Sequence, residues 1–210
     1  MAGCCSFIRE EKAGATVEFV ALMPAFFLLT FFIFEIIIAV LWVGTAEKAV
    51  QLGARLAVVS DYAVNGLTAT STNALAAGFF GQPCSAGACV AFTTQTCTGG
   101  TGAQCNATKF NAIVNRMSRI SNLIQSQYVT ISYTYVGLGY AGGQVVPRVT
   151  VTLGQTNPVG SSVPVPYGAV VTTVLGNFIK LGDKTASSPL VNLPTISVTL
   201  TGEDQSSAGA

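Results

Sequence analysis

No histidine occurs anywhere in this 210-residue chain. The commonest general base and metal ligand is therefore missing, and every Ser/His or Cys/His nucleophilic pair is excluded. Charge is scarce as well: Lys and Arg number 10 and Asp and Glu 9, a net of +1. Such a balance offers no basic surface for a polyanion, so nucleic acid is not an expected partner. Residues 62–108 contain no Asp, Glu, Lys or Arg, and neither do residues 120–147. A surface so poor in charge suits a protein that packs against neighbours, although an exported domain rich in Ser, Thr and Gly can also stay in solution through its hydroxyls. There is no internal repeat with a period of about 20–50 residues. The acids outside the apolar region, Glu47, Asp61, Asp183, Glu203 and Asp204, show no pairing legible in the sequence. The chain is accordingly read as a non-enzyme with no cofactor and no metal.

What the chain does have is one long apolar run, "EEKAGATVEFVALMPAFFLLTFFIFEIIIAVLWV", from Glu10 to Val43. Between Phe19 and Val43 the only ionisable residue is Glu35. As a helix that stretch reaches about 37 Å, more than the ~30 Å hydrocarbon core of a bilayer. A cleavable secretory signal has a shorter apolar core, about 7–15 residues, and a cationic leader. Here Arg9 and Lys12 are offset by Glu10 and Glu11. The expected organisation is a leader over 1–14 that is a candidate for cleavage, and a transmembrane helix over 15–43. Lys48 and Arg55 on the far side leave the charge rule only weak support for an orientation.

Past Val43 the pattern stays helical but is no longer uniformly apolar. Ala46, Ala49, Val50, Gly53, Leu56 and Ala57 recur at helical spacing, with Glu47, Lys48, Gln51 and Arg55 elsewhere on the helix. The spacing predicts an amphipathic stalk over 44–60, continuous with the span and ending near Val59.

The succession "GATVEFVALMPAFFLL", "FEIIIAVLWV" and "AEKAVQLGARLAVVS" resembles the N-terminal region of the TadE-like family, pilin-like proteins of the tight-adherence (Flp, type IVc) pilus system. The resemblance covers roughly residues 13–60, with the first acid, the Pro, the second acid and the Gly-Ala-Arg in the family's order. It implies a prepilin-like minor subunit that assists pilus assembly. Its implied place is the bacterial inner membrane, with the N-terminus cytoplasmic, the C-terminal domain periplasmic and incorporation into a surface pilus as a further step. The implied partners are a prepilin peptidase, other pilins, inner-membrane pilus assembly proteins and the lipid bilayer. Candidate peptidase-recognition residues are Ala13, Gly14, Ala15, Glu18 and Phe19, and candidate assembly residues are Glu18 and Glu35. The family's spacing from cut to acid puts the cut after Ala13, whereas its usual glycine before the cut puts it after Gly14. The alternative is an uncleaved, single-pass binding protein of the cell envelope.

Residues 61–204 read as a periplasmic α+β domain. Phe110, Ile113, Val114, Met117, Ile120 and Ile124 form one helical stripe. Val129, Ile131, Tyr133 and Tyr135 alternate with hydroxyl residues, as do Val149, Val151 and Leu153, and Ile196, Val198 and Leu200. That two-residue period predicts an antiparallel sheet, with Pro147 at a strand start or on an edge. Val170, Val171, Val174, Leu175, Phe178 and Ile179 trace a further short helical face, and 205–210 reads as a disordered tail. The fold class expected is α+β and pilin-like: a long N-terminal helix packed on a small antiparallel sheet with one or two extra helices.

Of the 6 cysteines, Cys4 and Cys5 lie in the leader and Cys84, Cys89, Cys97 and Cys105 in a Gly/Thr/Ser-rich stretch over about 81–108. If the leader is cytoplasmic, those four face an oxidising compartment and form two disulfides, in any of three connectivities. Each bridge is worth about 2–4 kcal/mol through the unfolded chain. Zinc fits poorly, because the spacings are wide and neither C-x-x-C nor histidine is present. The pattern G-x-G-x-x-G at Gly137, Gly139 and Gly142 has a strand on each side, so it reads as a hairpin loop and not as a dinucleotide site.

Overall fold

The computed structural model of the chain describes residues 11–67, 77–144, 146–156, 162–163, 165–167 and 191–202. The start of the leader, Cys4 and Cys5, the helical face from Val170 to Ile179 and the tail over 205–210 lie outside the described residues.

The apolar run and the stalk form one helix, α1 (Glu11–Val59). Its Ala, Leu and Glu favour helix, and the one interior Pro, Pro24, lacks the N–H that would bond four residues back. Two compact units divide the chain: Met1–Leu41 with Gly168–Pro189, and Trp42–Tyr167 with Leu190–Ala210. In the first, the large apolar side chains of α1 are exposed, from Val17 at 68% through Phe31 at 52% to Leu41 at 63%.

In the second unit the same helix changes character. Ala46, Ala49, Val50, Ala54 and Ala57 are fully buried, while Glu47, Lys48, Gln51 and Arg55 are exposed. This is the amphipathic stalk that the spacing predicts. The helix ends at Val59, and the Ser60 N–H closes its last turn on Leu56 O at 2.9 Å.

The strands are β1 (Gln95–Thr98), β2 (Val129–Leu138), β3 (Val146–Leu153), β4 (Gln155–Thr156), β5 (Ser162–Val163), β6 (Pro166–Tyr167), β7 (Val191–Asn192) and β8 (Ile196–Thr201). β1, β2, β3 and β8 form an antiparallel four-stranded sheet in that order, while β4–β5 and β6–β7 are two-residue ladders. Register aligns the apolar residues in rows: Cys97, Ile131, Val151 and Val198 in one, Tyr133, Val149 and Leu200 in the next. Side chains two apart share a face, so these rows build one continuous apolar surface. The stalk of α1 packs on the sheet together with a second helix, α2 (Ala107–Ser118), which gives the α+β architecture.

α2 starts at Asn106, whose side chain accepts the Lys109 N–H at 3.2 Å and so caps the helix. Its stripe Phe110, Ile113, Val114 and Met117 is buried. The sequence stripe continues to Ile120 and Ile124, but the helix does not. Past Ser118 the chain tightens, with the N–H groups of Ile120 and Ser121 both bonding Met117 O, at 3.0 and 3.3 Å. Ile120 is left 42% exposed, whereas Ile124 is buried in the turn that follows.

Pro147 is the second residue of β3, and its C=O accepts the Gly202 N–H just past the end of β8, so its missing N–H falls at the end of that ladder. The glycines of the apparent dinucleotide motif lie where β2 turns back into β3, with Gly137, Gly139 and Gly142 all at positive φ. They make a hairpin connection and open no helix.

Candidate functional site

Ala13, Gly14, Ala15, Glu18 and Phe19 all lie in the first turns of α1. Gly14 is open, since a Cβ there meets no atom within 4 Å. Glu18 is exposed and Phe19 is 59% exposed, while Glu35 is half-buried. The structure does not bring the two acids together. From Glu18 to Glu35 is about 26 Å along the helix axis and a rotation of roughly 260°, at 1.5 Å and about 100° per residue. They mark two separate places on one helix.

Between them the side-chain hydroxyl of the segment is satisfied within the helix. Thr30 Oγ1 donates to Phe26 O at 2.8 Å, so the one hydroxyl between Glu18 and Glu35 needs no water. Phe26, Phe27 and Phe31 lie ring against ring, with centroids 6.1 and 6.3 Å apart. Among the described residues one helix, over Thr16–Val59, is long and apolar enough to cross a membrane, with a mean hydropathy of 2.7 in its 18-residue apolar window.

The helix is also where the chain resembles something known. Residues 14–55 match the family model of TadE-like protein. The TadE-like stretch thus covers the exposed apolar segment and most of the stalk, with Glu18, Pro24, Glu35 and the Gly53-Ala54-Arg55 triplet inside it. No curated protein and no solved structure gives a significant match.

The structure gives the triplet of the TadE-like stretch a physical meaning. Gly53 and Ala54 are buried, and a Cβ on Gly53 would collide with Sδ of Met117 and lie 2.9 Å from its Cγ. Glycine lets α2 approach α1 at this point, while Arg55 stays exposed. Trp42, the only tryptophan, stands at the changeover from exposed apolar residues to the buried stalk, where an amphipathic ring suits a membrane–water boundary. In the sequence its signal is a lone tryptophan at the end of the apolar run.

The four downstream cysteines pair locally, Cys84 with Cys89 and Cys97 with Cys105. Cys84, Cys89, Ala88 and Ala141 form a small buried cluster with Tyr135 against it, which pins the first disulfide loop to the β2–β3 hairpin. The second bridge joins β1 to the turn that leads into α2, and Cys97 is fully buried. Among the described residues no group of three or more His, Cys, Asp or Glu stands ready to hold a metal ion.

Proposed function

We propose that the chain is a non-enzymatic, prepilin-like minor subunit that assists assembly of a tight-adherence pilus. The observation carrying this reading is the double character of α1: an exposed apolar segment to Leu41, then a stalk buried in the α+β unit, both within the TadE-like stretch. An exposed apolar helix suits lipid while the subunit waits, and suits packing among like helices once it leaves the bilayer. Orientation follows the family: leader in the cytoplasm, α+β unit with its disulfides in the periplasm, inner membrane between.

In this reading a prepilin peptidase cuts after Ala13 or Gly14 and leaves a new α-amino group within a few residues of Glu18. Glu18 of an incoming subunit then meets the amine of its neighbour, and two charges that resist burial are neutralised together. The test is N-terminal sequencing of protein from the native host, combined with Glu18→Gln. Processing after Ala13 or Gly14, normal insertion and loss of pilus output are expected of the variant. Unchanged pilus output with a processed wild-type terminus leaves Glu18 only a favourable interaction with the helix dipole, about 0.3–1 kcal/mol.

One observation favours a second reading, an uncleaved envelope anchor that binds a pilus component. α1 begins at Glu11 and passes through both candidate cut sites without a break. A helical scissile bond must unwind before a peptidase can take it, and an intact leader on the mature protein would select this reading.

A further inference from the structure

β8 forms one edge of the four-stranded sheet, paired with β3 on one side and, among the described residues, with no strand on the other. One bond sets the direction of its backbone groups. The Gly202 N–H donates to Pro147 O at 2.6 Å, in step with the Arg148–Thr201 pair. Backbone groups alternate sides along a strand, so the amides of Ile196, Val198 and Leu200 point into the sheet. Those of Ser197, Thr199 and Thr201 point out of its edge.

Exposed edges are normally blunted by Lys, Pro, a bulge or an inward charge. The strand Ile-Ser-Val-Thr-Leu-Thr carries none of these. The opposite edge is guarded: β1 has four residues, and its end is folded back by the Thr101 N–H on Thr98 O at 3.3 Å. Among the described residues the open edge is therefore on one side.

Beside it runs a groove of about 380 Å³ lined by Arg55, Val58 and Val59 of α1 and by Leu200 and Thr201. Its walls are largely aliphatic. Among the described residues Arg55 has no carboxylate partner, and the ion pair found there joins Lys109 to Asp61.

We propose that the β8 edge accepts a strand: an extended acidic segment of a partner polypeptide pairs with Ser197, Thr199 and Thr201 and sets a carboxylate against Arg55. Main-chain bonds to a sheet edge supply affinity, and the side chains beside it supply selection. The exposed guanidinium of Arg55 offers a carboxylate a charge-assisted bond and disfavours a basic segment. A second copy of this chain fits less well, because neither of its edge strands, β1 or β8, contains an acid. The inference rests on the α+β unit alone and does not require the pilus reading.

The test uses full-length protein in detergent micelles and two labelled peptides of roughly ten alternating Val and Thr residues, one with a central Glu and one with a central Lys. By fluorescence anisotropy the Glu peptide should bind saturably, and the Lys peptide about tenfold more weakly or worse. Arg55→Gln should bring the two affinities together. Ser197→Pro removes an outward donor and no bond to β3, so it should weaken the Glu peptide about tenfold, whereas Ser197→Ala should not. A measurement on unaltered protein guards against misfolding of the proline variant. The amides of Ser197, Thr199 and Thr201 should exchange freely alone and be protected with the Glu peptide, while those of Val198 and Leu200 are protected throughout. Equal binding of the two peptides, no saturable binding, or outward amides that stay unprotected would overturn the proposal. So would protection of those amides by self-association without peptide, which gives the edge to a second copy.

Discussion

The hydroxyl of Tyr133 accepts a hydrogen bond from the Ala63 N–H at 3.1 Å, across 70 residues of sequence. It ties the segment leaving α1 to the middle of β2, and Tyr62 lies edge-on against the same ring with centroids 5.2 Å apart. Tyr133→Phe keeps the ring and strands a buried donor. A loss of about 1–3 kcal/mol is expected, measured as a shift in the denaturant midpoint with an unchanged slope.

The same pair sets the alkaline limit. Burial pushes the Tyr133 hydroxyl up to about 12 from its ordinary 10.0, against a smaller downward pull from the Ala63 bond. Burial, and then the neighbouring Tyr133, push Tyr62 up as well. A raised folded value favours the neutral phenol in the fold, so the stability it contributes is complete below pH 10 and is lost as pH rises toward about 12. Melting temperature followed against pH should be flat to about 10 and then fall, with tyrosinate absorbance appearing on unfolding. Tyr133→Phe should shallow that fall.

Gly53 faces Met117, which is fully buried. Alanine there gains about 1 kcal/mol of helix propensity but overpacks the contact at a cost of about 1–3 kcal/mol. Gly53→Ala should therefore be neutral to about 2 kcal/mol destabilising. In the Met117→Ala background, where the colliding side chain is gone, the same change should be stabilising. A double-mutant cycle by chemical denaturation reads the difference.

Peptide mapping without reduction should recover Cys84 linked to Cys89 and Cys97 linked to Cys105, and no crossed pair. Replacing Cys97 and Cys105 together by Ala should cost about 2–3 kcal/mol, because the loop they close is short. Free thiols at these four positions in protein from the native host would contradict export of this unit to an oxidising compartment.

Glu35→Gln should leave membrane insertion intact, read by alkaline extraction of membranes. An amide avoids the cost of an acid near the centre of a span, about 2.5–3.5 kcal/mol on insertion scales. A loss of pilus output with normal insertion would mark Glu35 as a charge-dependent assembly contact.

Helix periodicity carried most of what was legible in the sequence. Ala46, Ala49, Val50 and Ala57 had to face something, because helical spacing puts them on one side with Glu47, Lys48, Gln51 and Arg55 on others. The three long alternating segments announced strands for the same kind of reason. Periodicity does not say where a helix stops when the stripe outlasts it. After Ser118 the chain tightens, with the Ile120 and Ser121 N–H groups both on Met117 O, and Ile124 reaches the core from a turn. Nor does alternation distinguish an edge from a centre, since β3 and β8 read alike. The Tyr133–Ala63 bond and the Gly53–Met117 contact depend on how distant segments meet, and no local pattern encodes that meeting. Among four cysteines, spacing alone leaves three pairings open, and only the β1 register and the β2–β3 hairpin decide between them.

The two bridges span 5 and 8 residues. Each can close once its own short loop has been synthesised, well before β8 exists to complete the sheet. Oxidation among these four cysteines is thus a nearest-neighbour event. An oxidase suffices where bridges between distant segments would call for an isomerase to reshuffle them.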